Sequence, residues 1–458
     1  MIIAAEIVVI ILMILGGAFW YMYHRTFGSM QKIDFNEDQV KNVNLSQEQI
    51  DDMKGYMTVA CFGVDSRSQH GQMNVGKGTN ADVNMIANIN LETGEIRLVS
   101  VFRDSYLNIN DKNSYNKINA AYAQGGPEQA VKALNKNLGL NITQYATFNW
   151  KAVADAINIL GGVDVELSDA EFSWINAFIT ETVKETGIGS HQLTHAGNVH
   201  LDGIQAVAYG RIRYSDTDYA RTERQRIILQ KAFDKAKNAD WATLNCLIQT
   251  IMPQLATNVD ITDLIPLARN IAKFHIGETA GFPAARGEQD VGKIGDCVIP
   301  QTLEYNVKEL HKFLFEEEDY QVPSNVKEYS NHIAQVTGLT TNAKLIGHVP
   351  VDQGVSAQTF IKKRASRIAA KAAAEASAKK SSTSASDESE TKKGESESSI
   401  GLDEIFDPDE DWIDWEEEES KSNSSKGPGT TTTPGKNNHT DRETEADDSL
   451  SGPGSTSE

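Results

Sequence analysis

The sequence predicts an α/β or α/β/α domain built on a mixed central sheet, preceded by one transmembrane helix and followed by a disordered tail. Three observations carry this. Apolar runs of strand length alternate with stretches of helical apolar spacing through the middle of the chain, which argues for a sheet covered by helices. Residues 2–23 are apolar apart from Glu6, long enough to cross a bilayer core of about 30 Å. From residue 381 onward 22 acidic residues face 6 basic ones, a composition that cannot bury enough apolar surface to fold.

The elements follow in order. The apolar run 1–23 ends in Phe19, Trp20, Tyr21, Met22 and Tyr23, an interfacial belt rather than the small-residue cleavage site of a secretory leader. Arg25 and Lys32 come after it, a placement that by charge alone favours the opposite orientation. Met1 opens directly into the apolar run, which points to a start further upstream. Residues 24–54 are polar without a strong period and read as a tether, and the folded domain is expected over 55–345. YMTVACFGVDSR reads as a buried strand, and VNMIANINLETGEIRLVSVFRDSYLNI as two strands joined at Glu92, Thr93 and Gly94. Residues 120–138 carry apolar side chains at helical spacing (Ala123, Ala130, Val131, Leu134, Leu138) and stop at Gly139. FNWKAVADAINILGG is a second helix, closed by Gly161 and Gly162. VDVEL returns to strand, AVAYGRIRY reads as a strand end, and a helix runs through IILQKAFDKAK. The helix-rich stretch 242–274, the strand-like KIGDCVIP and the helix LEYNVKELHKFLF complete the domain.

Residues 346–380 include an Ala/Lys-rich stretch expected as an exposed helix, and 381–458 form the acidic tail. One island there sets Ile405, Phe406, Trp412, Ile413 and Trp415 among carboxylates, which suits either a short partner-binding segment or a solvated tract. Of the formal net charge of −21, the tail holds −16, so the body is nearly balanced at −5. No broad basic face argues for nucleic acid. Three cysteines are too few for a disulfide framework. Cys61 is expected in the core, and the sequence leaves open whether Cys246 and Cys297 pair.

Against that balance, residues 211–226 gather five arginines: Arg211, Arg213, Arg221, Arg224 and Arg226. Arg211 and Arg213 are two apart and would leave an extended segment on one side. Arg221 and Arg224 share a helical face near the helix's positive end, so the group suits the oxygens of a pyrophosphate. The alternative is a solvated face whose arginines pair with Asp216, Asp218 and Glu223. Other candidates also stand at strand ends or in the loops after them. Asp65 and Arg67 follow the first strand, a loop with Gly71, Gly76 and Gly78 comes next, Asp82 opens the second strand, and Arg103 and Asp104 close the third. Asp65 and Asp82 could jointly hold Mg²⁺ while arginines hold phosphate, because that ion favours one or two carboxylates plus substrate oxygens. Lys117 is a further candidate cation. Each alone could be a salt bridge or a loop cap.

The ordered series GVDSR, ADVNMIANIN, LVSVFRDSYLNI, KINAAYAQGG, LGGVDVEL, LDGIQAVAYGRIRY and DYARTERQR resembles the LytR-CpsA-Psr family of cell-wall attachment proteins over residues 57–237. The resemblance implies a three-layer α/β/α sandwich outside the cytoplasmic membrane, held by a single-pass anchor. It implies a phosphotransferase that moves a glycopolymer from a polyprenyl-pyrophosphate carrier onto a peptidoglycan sugar hydroxyl as a phosphodiester, with pyrophosphatase activity as an associated reaction. It makes Asp65 and Asp82 the Mg²⁺ (or Mn²⁺) ligands and, with Arg103, the catalytic group. Arg67, Arg103, Lys117, Arg211, Arg213, Arg221, Arg224 and Gln225 become the pyrophosphate contacts. One departure is Asn80, where the family has an arginine, a contact that Lys77 could supply. Phe172, Trp174, Ile175, Phe178 and Ile179, with the helix over 150–160, are candidates for a lipid groove or for plain core. A non-catalytic binder of a lipid pyrophosphate is the competing expectation. A transcriptional regulator, which the family's historical name suggests, is opposed by the outside placement and the lack of a basic reading helix.

Overall fold

The computed structural model describes residues 33–64, 78–213, 217–259, 271–340 and 343–366. The apolar run 1–23, the loop with Asp65 and Arg67, and the acidic tail lie outside the described residues. Among the described residues no helix is long and apolar enough to cross a membrane.

The sheet grows outward from β1 (Tyr56–Val64), which pairs antiparallel with β2 (Ala81–Asn90) and parallel with β6 (Gln144–Phe148). Strand β3 (Glu95–Val101) returns antiparallel to β2 through the turn at Gly94, as the sequence predicts. With β9 (Ala256–Thr257) and β10 (His275–Phe282) the order is β10-β3-β2-β1-β6-β9, a mixed sheet. Alternation decides its two faces. Ala60, Phe62, Ile86, Val99 and Val101 point into one core, and Val83, Met85, Ile96, Leu98 and Ile276 into the other. Asn88 is buried on the first face, where its amide reaches Leu314 O at 2.7 Å and so ties the sheet to a covering helix.

That face is covered by α3 (Asn119–Leu138), α9 (Leu303–Phe315) and α10 (Ser324–Thr337). Helix α3 ends at Gly139 as expected but is broken inside, at Gly126 with φ 69°, where Pro127 follows. On the opposite face α7 (Asp218–Lys237) packs against β10, and Phe233 joins the second core. Helices α4 (Trp150–Ile159), α5 (Asp169–Thr186) and α6 (Gly203–Tyr209) pack together beside α7, and α8 (Trp241–Ile251) packs on α4. At the α4–α6 contact a Cβ on Gly203 would fall 1.9 Å from Ala154 O, so only glycine allows the approach.

Several expectations are corrected. The stretch before Arg211 is helical, not a strand end. Asp202 accepts from the Gln205 amide while the Gln205 side chain returns to the Asp202 amide, a capping box that starts α6 and outweighs the extended reading of AVAYG. VDVEL is β7 (Val163–Leu167), but among the described residues it pairs only with β8 (Gly197–Leu201), apart from the main sheet. KIGDCVIP supplies β12 (Asp296–Pro300), which pairs with β11 (Arg286–Asp290) in another separate hairpin.

From Ile33 onward the expected tether is packed structure. It forms α1 (Glu37–Val40) and α2 (Gln47–Asp52), buries Val40, sets the Phe35 ring at a tilt against Tyr145 with centroids 4.6 Å apart, and donates from Asn42 to Asn135 O and Leu140 O. All three cysteines are free, with Cys246 exposed and Cys297 buried, so the bridge left open by the sequence is not formed.

Residues 343–366 run as a strap over α5 and α7. Trp174 Nε1 donates to Val355 O at 2.8 Å, Phe360 meets the Trp174 ring edge-on at 5.2 Å, and His348 lies 2.8 Å from Glu223. The strap ends in the helical stretch 357–366, the described part of the helix expected in the Ala/Lys-rich region.

Candidate active site

The charged residues meet where β2 begins, where β3 ends and where α7 starts. Asp82 is the second residue of β2, and Arg103 and Asp104 stand two and three residues beyond the end of β3. Lys117 ends β5 (Tyr115–Lys117), in register with Tyr106 of β4 (Tyr106–Asn108). Asp218 and Arg221 occupy the first turn of α7, behind the N-cap Thr217.

Arg103 is the hub. Its Nη1 lies 3.1 Å from Asp82, and its Nε lies 3.2 Å from Asp104 and 3.8 Å from Asp218. Asp218 in turn meets Arg221 Nη2 at 2.5 Å, and Asp104 meets Lys117 Nζ at 3.4 Å. Burial works to lower the pKa of Arg103, but Asp218, Asp104 and Asp82 more than offset it and hold the guanidinium above its ordinary value. Arg221 goes the other way. Burial lowers its pKa, Asp218 compensates only in part, and the charges of Arg103 and Arg213 push in the same direction as burial. Its Nε and Nη2 are buried and make no well-aligned hydrogen bond among the described residues. Arg213 lies within electrostatic reach of Arg221 as a further cation. A multiply charged anion with several acceptor oxygens would satisfy that arrangement.

The other candidates lie elsewhere. Arg211 donates to Thr182 Oγ1 at 2.9 Å, pairs with Glu185 at 2.8 Å and Glu181 at 3.2 Å, and lies over Trp150 at 5.4 Å. Arg224 is fully buried, bound to Glu171 at 2.7 Å and to the carbonyls of Ile212 and Val351. It holds backbone in place and does not face solvent. Gln225 donates to Gly210 O at 3.2 Å. The pairing alternative holds for part of the segment: Arg221 meets Asp218 and Arg226 meets Glu223. Asp65, Arg67 and Lys77 lie outside the described residues. The proposed lipid-groove residues Trp174, Ile175, Phe178 and Ile179 are core, more than nine-tenths buried. Asp104 and Asp218 were visible beside the chosen arginines, but only the fold shows that both turn onto Arg103.

For a metal, the donor chemistry is suitable but incomplete. Asp82, Asp104 and Asp218 are hard oxygen donors without His or Cys, the set Mg²⁺ favours. Arg103 stands among them, so no three described residues converge to hold an ion. Among the described carboxylates Asp82 is best placed for it: its side chain is 31% exposed, and only Oδ1 is engaged by Arg103.

The model of the LytR_cpsA_psr family matches residues 18–281. A Bacillus mycoides (strain KBAB4) protein, polyisoprenyl-teichoic acid--peptidoglycan teichoic acid transferase TagU, is 30% identical over 217 residues, 47% of this chain and 64% of that one. TagT of Bacillus subtilis (strain 168), named as the same kind of transferase, is 27% identical over 232 residues, 50% of this chain and 67% of that one. The match thus spans less than two thirds of the TagU relative. Among solved structures, TagT bound to LI-WTA shares 25% identity at a TM-score of 0.46, covering 60% of this chain and 96% of that one. The LytR-CPS2A-psr family protein YwtF (TagT) with bound octaprenyl pyrophosphate lipid shares 24% at 0.43, with the same coverage. Since the family model covers more than half of the sequence, the chain belongs to the LytR_cpsA_psr family.

Proposed function

We propose that this protein is a membrane-anchored phosphotransferase that moves a glycopolymer from a polyprenyl-pyrophosphate carrier onto peptidoglycan as a phosphodiester. The observation that carries the reading is the convergence of Asp82, Arg103, Asp218 and Arg221, with the Nε of Arg221 buried and without a hydrogen bond among the described residues. The names of the TagU and TagT relatives support it. The anchor is the run 2–23, and the domain lies outside the membrane.

The chemistry asks the protein for position and charge rather than covalent help. Arg103, Arg213, Arg221 and Lys117 neutralise the pyrophosphate oxygens and spread the charge that builds up in transfer. The acceptor sugar hydroxyl attacks the phosphorus that carries the glycan, a new P–O bond forms, and the bond to the polyprenyl phosphate breaks. Asp82 Oδ2, the oxygen Arg103 leaves unengaged, takes the hydroxyl proton, and polyprenyl monophosphate departs. Mg²⁺ or Mn²⁺, held by Asp82 and Asp65, would supply further charge neutralisation at the pyrophosphate.

The test is incubation of the purified full chain with a polyprenyl-pyrophosphate glycan and a peptidoglycan fragment, read by mass spectrometry. A glycan-phosphate-peptidoglycan product is expected. Carrier that binds tightly yet is recovered intact, with no product, would make the protein a lipid-pyrophosphate binder.

A further inference from the structure

Beyond residue 281, where the family match ends, the β11–β12 hairpin reaches back to the charge cluster. Val298 donates its amide to Asp104 O at 3.0 Å, and Ser105 and Val298 form a bridge. The first residue of the hairpin, Arg286, lies over two aromatic rings. Its guanidinium carbon is 3.8 Å from the centroid of Tyr219 and 4.9 Å from that of Phe102, and the two rings meet edge-on at 4.7 Å. Phe102 precedes Arg103 in the chain and Tyr219 follows Asp218, so each ring is one residue from a member of the cluster.

No carboxylate forms a close ion pair with Arg286 among the described residues. Arg286 is 7% exposed, it donates long hydrogen bonds to the carbonyls of Pro283 and Ala284, and its Nε is buried with no hydrogen-bond partner among the described residues. Glu288 on its own strand takes the Tyr219 hydroxyl, and both groups also attract the Arg286 charge, so the strand, the ring and the guanidinium form one unit. A desolvated cation over two rings is a strong, direction-dependent contact, and a planar guanidinium makes it better than an ammonium. The contact sets the spacing between the turn after β3 and the first turn of α7. Those two segments bring Arg103 and Asp218 to 3.8 Å.

We infer that Arg286 is a positioning residue for transfer, stacking on Phe102 and Tyr219 to hold Arg103 and Asp218 in the geometry that receives the pyrophosphate. This rests on the phosphotransferase reading above.

The full chain is compared with Arg286→Met, Arg286→Lys and Phe102→Leu, reading pyrophosphate binding by calorimetry and transfer from the carrier. Arg286→Met is expected to cut kcat by about tenfold with KM changed less than about twofold, because the lost alignment acts mainly in the transition state. Arg286→Lys should rescue little, whereas millimolar guanidinium ion should restore part of the kcat of Arg286→Met. Phe102→Leu keeps an apolar side chain and should show the same kcat-selective loss if Arg286→Met does not fold. Unchanged kcat in the folded variants, full rescue by lysine, or a loss that only tracks thermal stability would overturn the inference. The ¹⁵Nε–H resonance of Arg103 needs no substrate. It should move in Arg286→Met and Phe102→Leu even if the wild-type chain transfers nothing, an outcome that would end the phosphotransferase reading alone. A resonance unmoved in both variants would end this inference.

Discussion

Arg103 Nη1 lies 3.1 Å from Asp82 Oδ1, joining the end of β3 to the start of its antiparallel neighbour β2. The pair fixes the orientation of the carboxylate proposed above as proton acceptor and ion ligand. Replacing Asp82 by Ala should lower transfer by about two orders of magnitude or more. The melting temperature should hold, because Asp104 and Asp218 still neutralise Arg103. Chelation should abolish turnover, and Mg²⁺ or Mn²⁺ should restore it in the wild type but not in Asp82→Ala. Undiminished turnover in chelator would remove the ion from the mechanism.

The arginines of 211–226 should separate into two classes. Arg221→Ala should weaken inorganic pyrophosphate binding by about tenfold or more, since it removes a buried cation whose Nε makes no hydrogen bond among the described residues. Arg211→Ala should leave that affinity within about twofold, because its fork is taken by Glu185 and Glu181. Calorimetry on the two variants checks this, and equal losses would mean that Arg211 leaves α5 when ligand arrives.

Arg224 should behave as a structural residue. Arg224→Met leaves Glu171, 1% exposed, without its cation and should destabilise the fold by about 3–5 kcal/mol in denaturant titration. Glu171→Gln added to it should recover part of that loss, since the stranded charge is then gone. A double variant no more stable than the single one would show that packing dominates.

His311 makes stability pH-dependent. Burial lowers its pKa to about 4, its Nε2 bonds to Leu138 O at 3.0 Å, and its ring stacks on Tyr320 at 3.5 Å. The unfolded chain therefore takes up this proton first as pH falls from about 6.5 to 4, and stability should decline across that window. His311→Gln keeps a donor without the titration, so its melting temperature should fall less than that of the wild type between those pH values.

How much of this was legible depended on whether the deciding contact was local. Alternating apolar residues and the turn at Gly94 placed β1 to β3, and Gly139 marked the end of α3, because chain-neighbour chemistry controls those features. The D-x-x-Q box at Asp202 was equally local and was simply outweighed by the look of AVAYG. The partners of VDVEL and KIGDCVIP were not legible, since a strand's own pattern does not choose its neighbour. In the site, Asp82, Arg103 and Arg221 were readable from position. The diversion of Arg211 and Arg224 was not, because the carboxylates that take them come from α5, between 26 and 53 residues away. Arg286 carried no signal at all, its rings lying far from it in sequence.

The strap over α5 and α7 also has a mechanical side. A pull on the chain beyond residue 366 would load Phe360 against Trp174 first and then the hydrogen bond from Trp174 to Val355. Next along the line is the Val351 carbonyl, held at 3.2 Å by the same guanidinium that grips Ile212 O between Arg211 and Arg213. Tension from the C-terminal side would therefore run through Arg224 into the arginine segment, shearing the strap off α5 along a path that bypasses the strands of the central sheet.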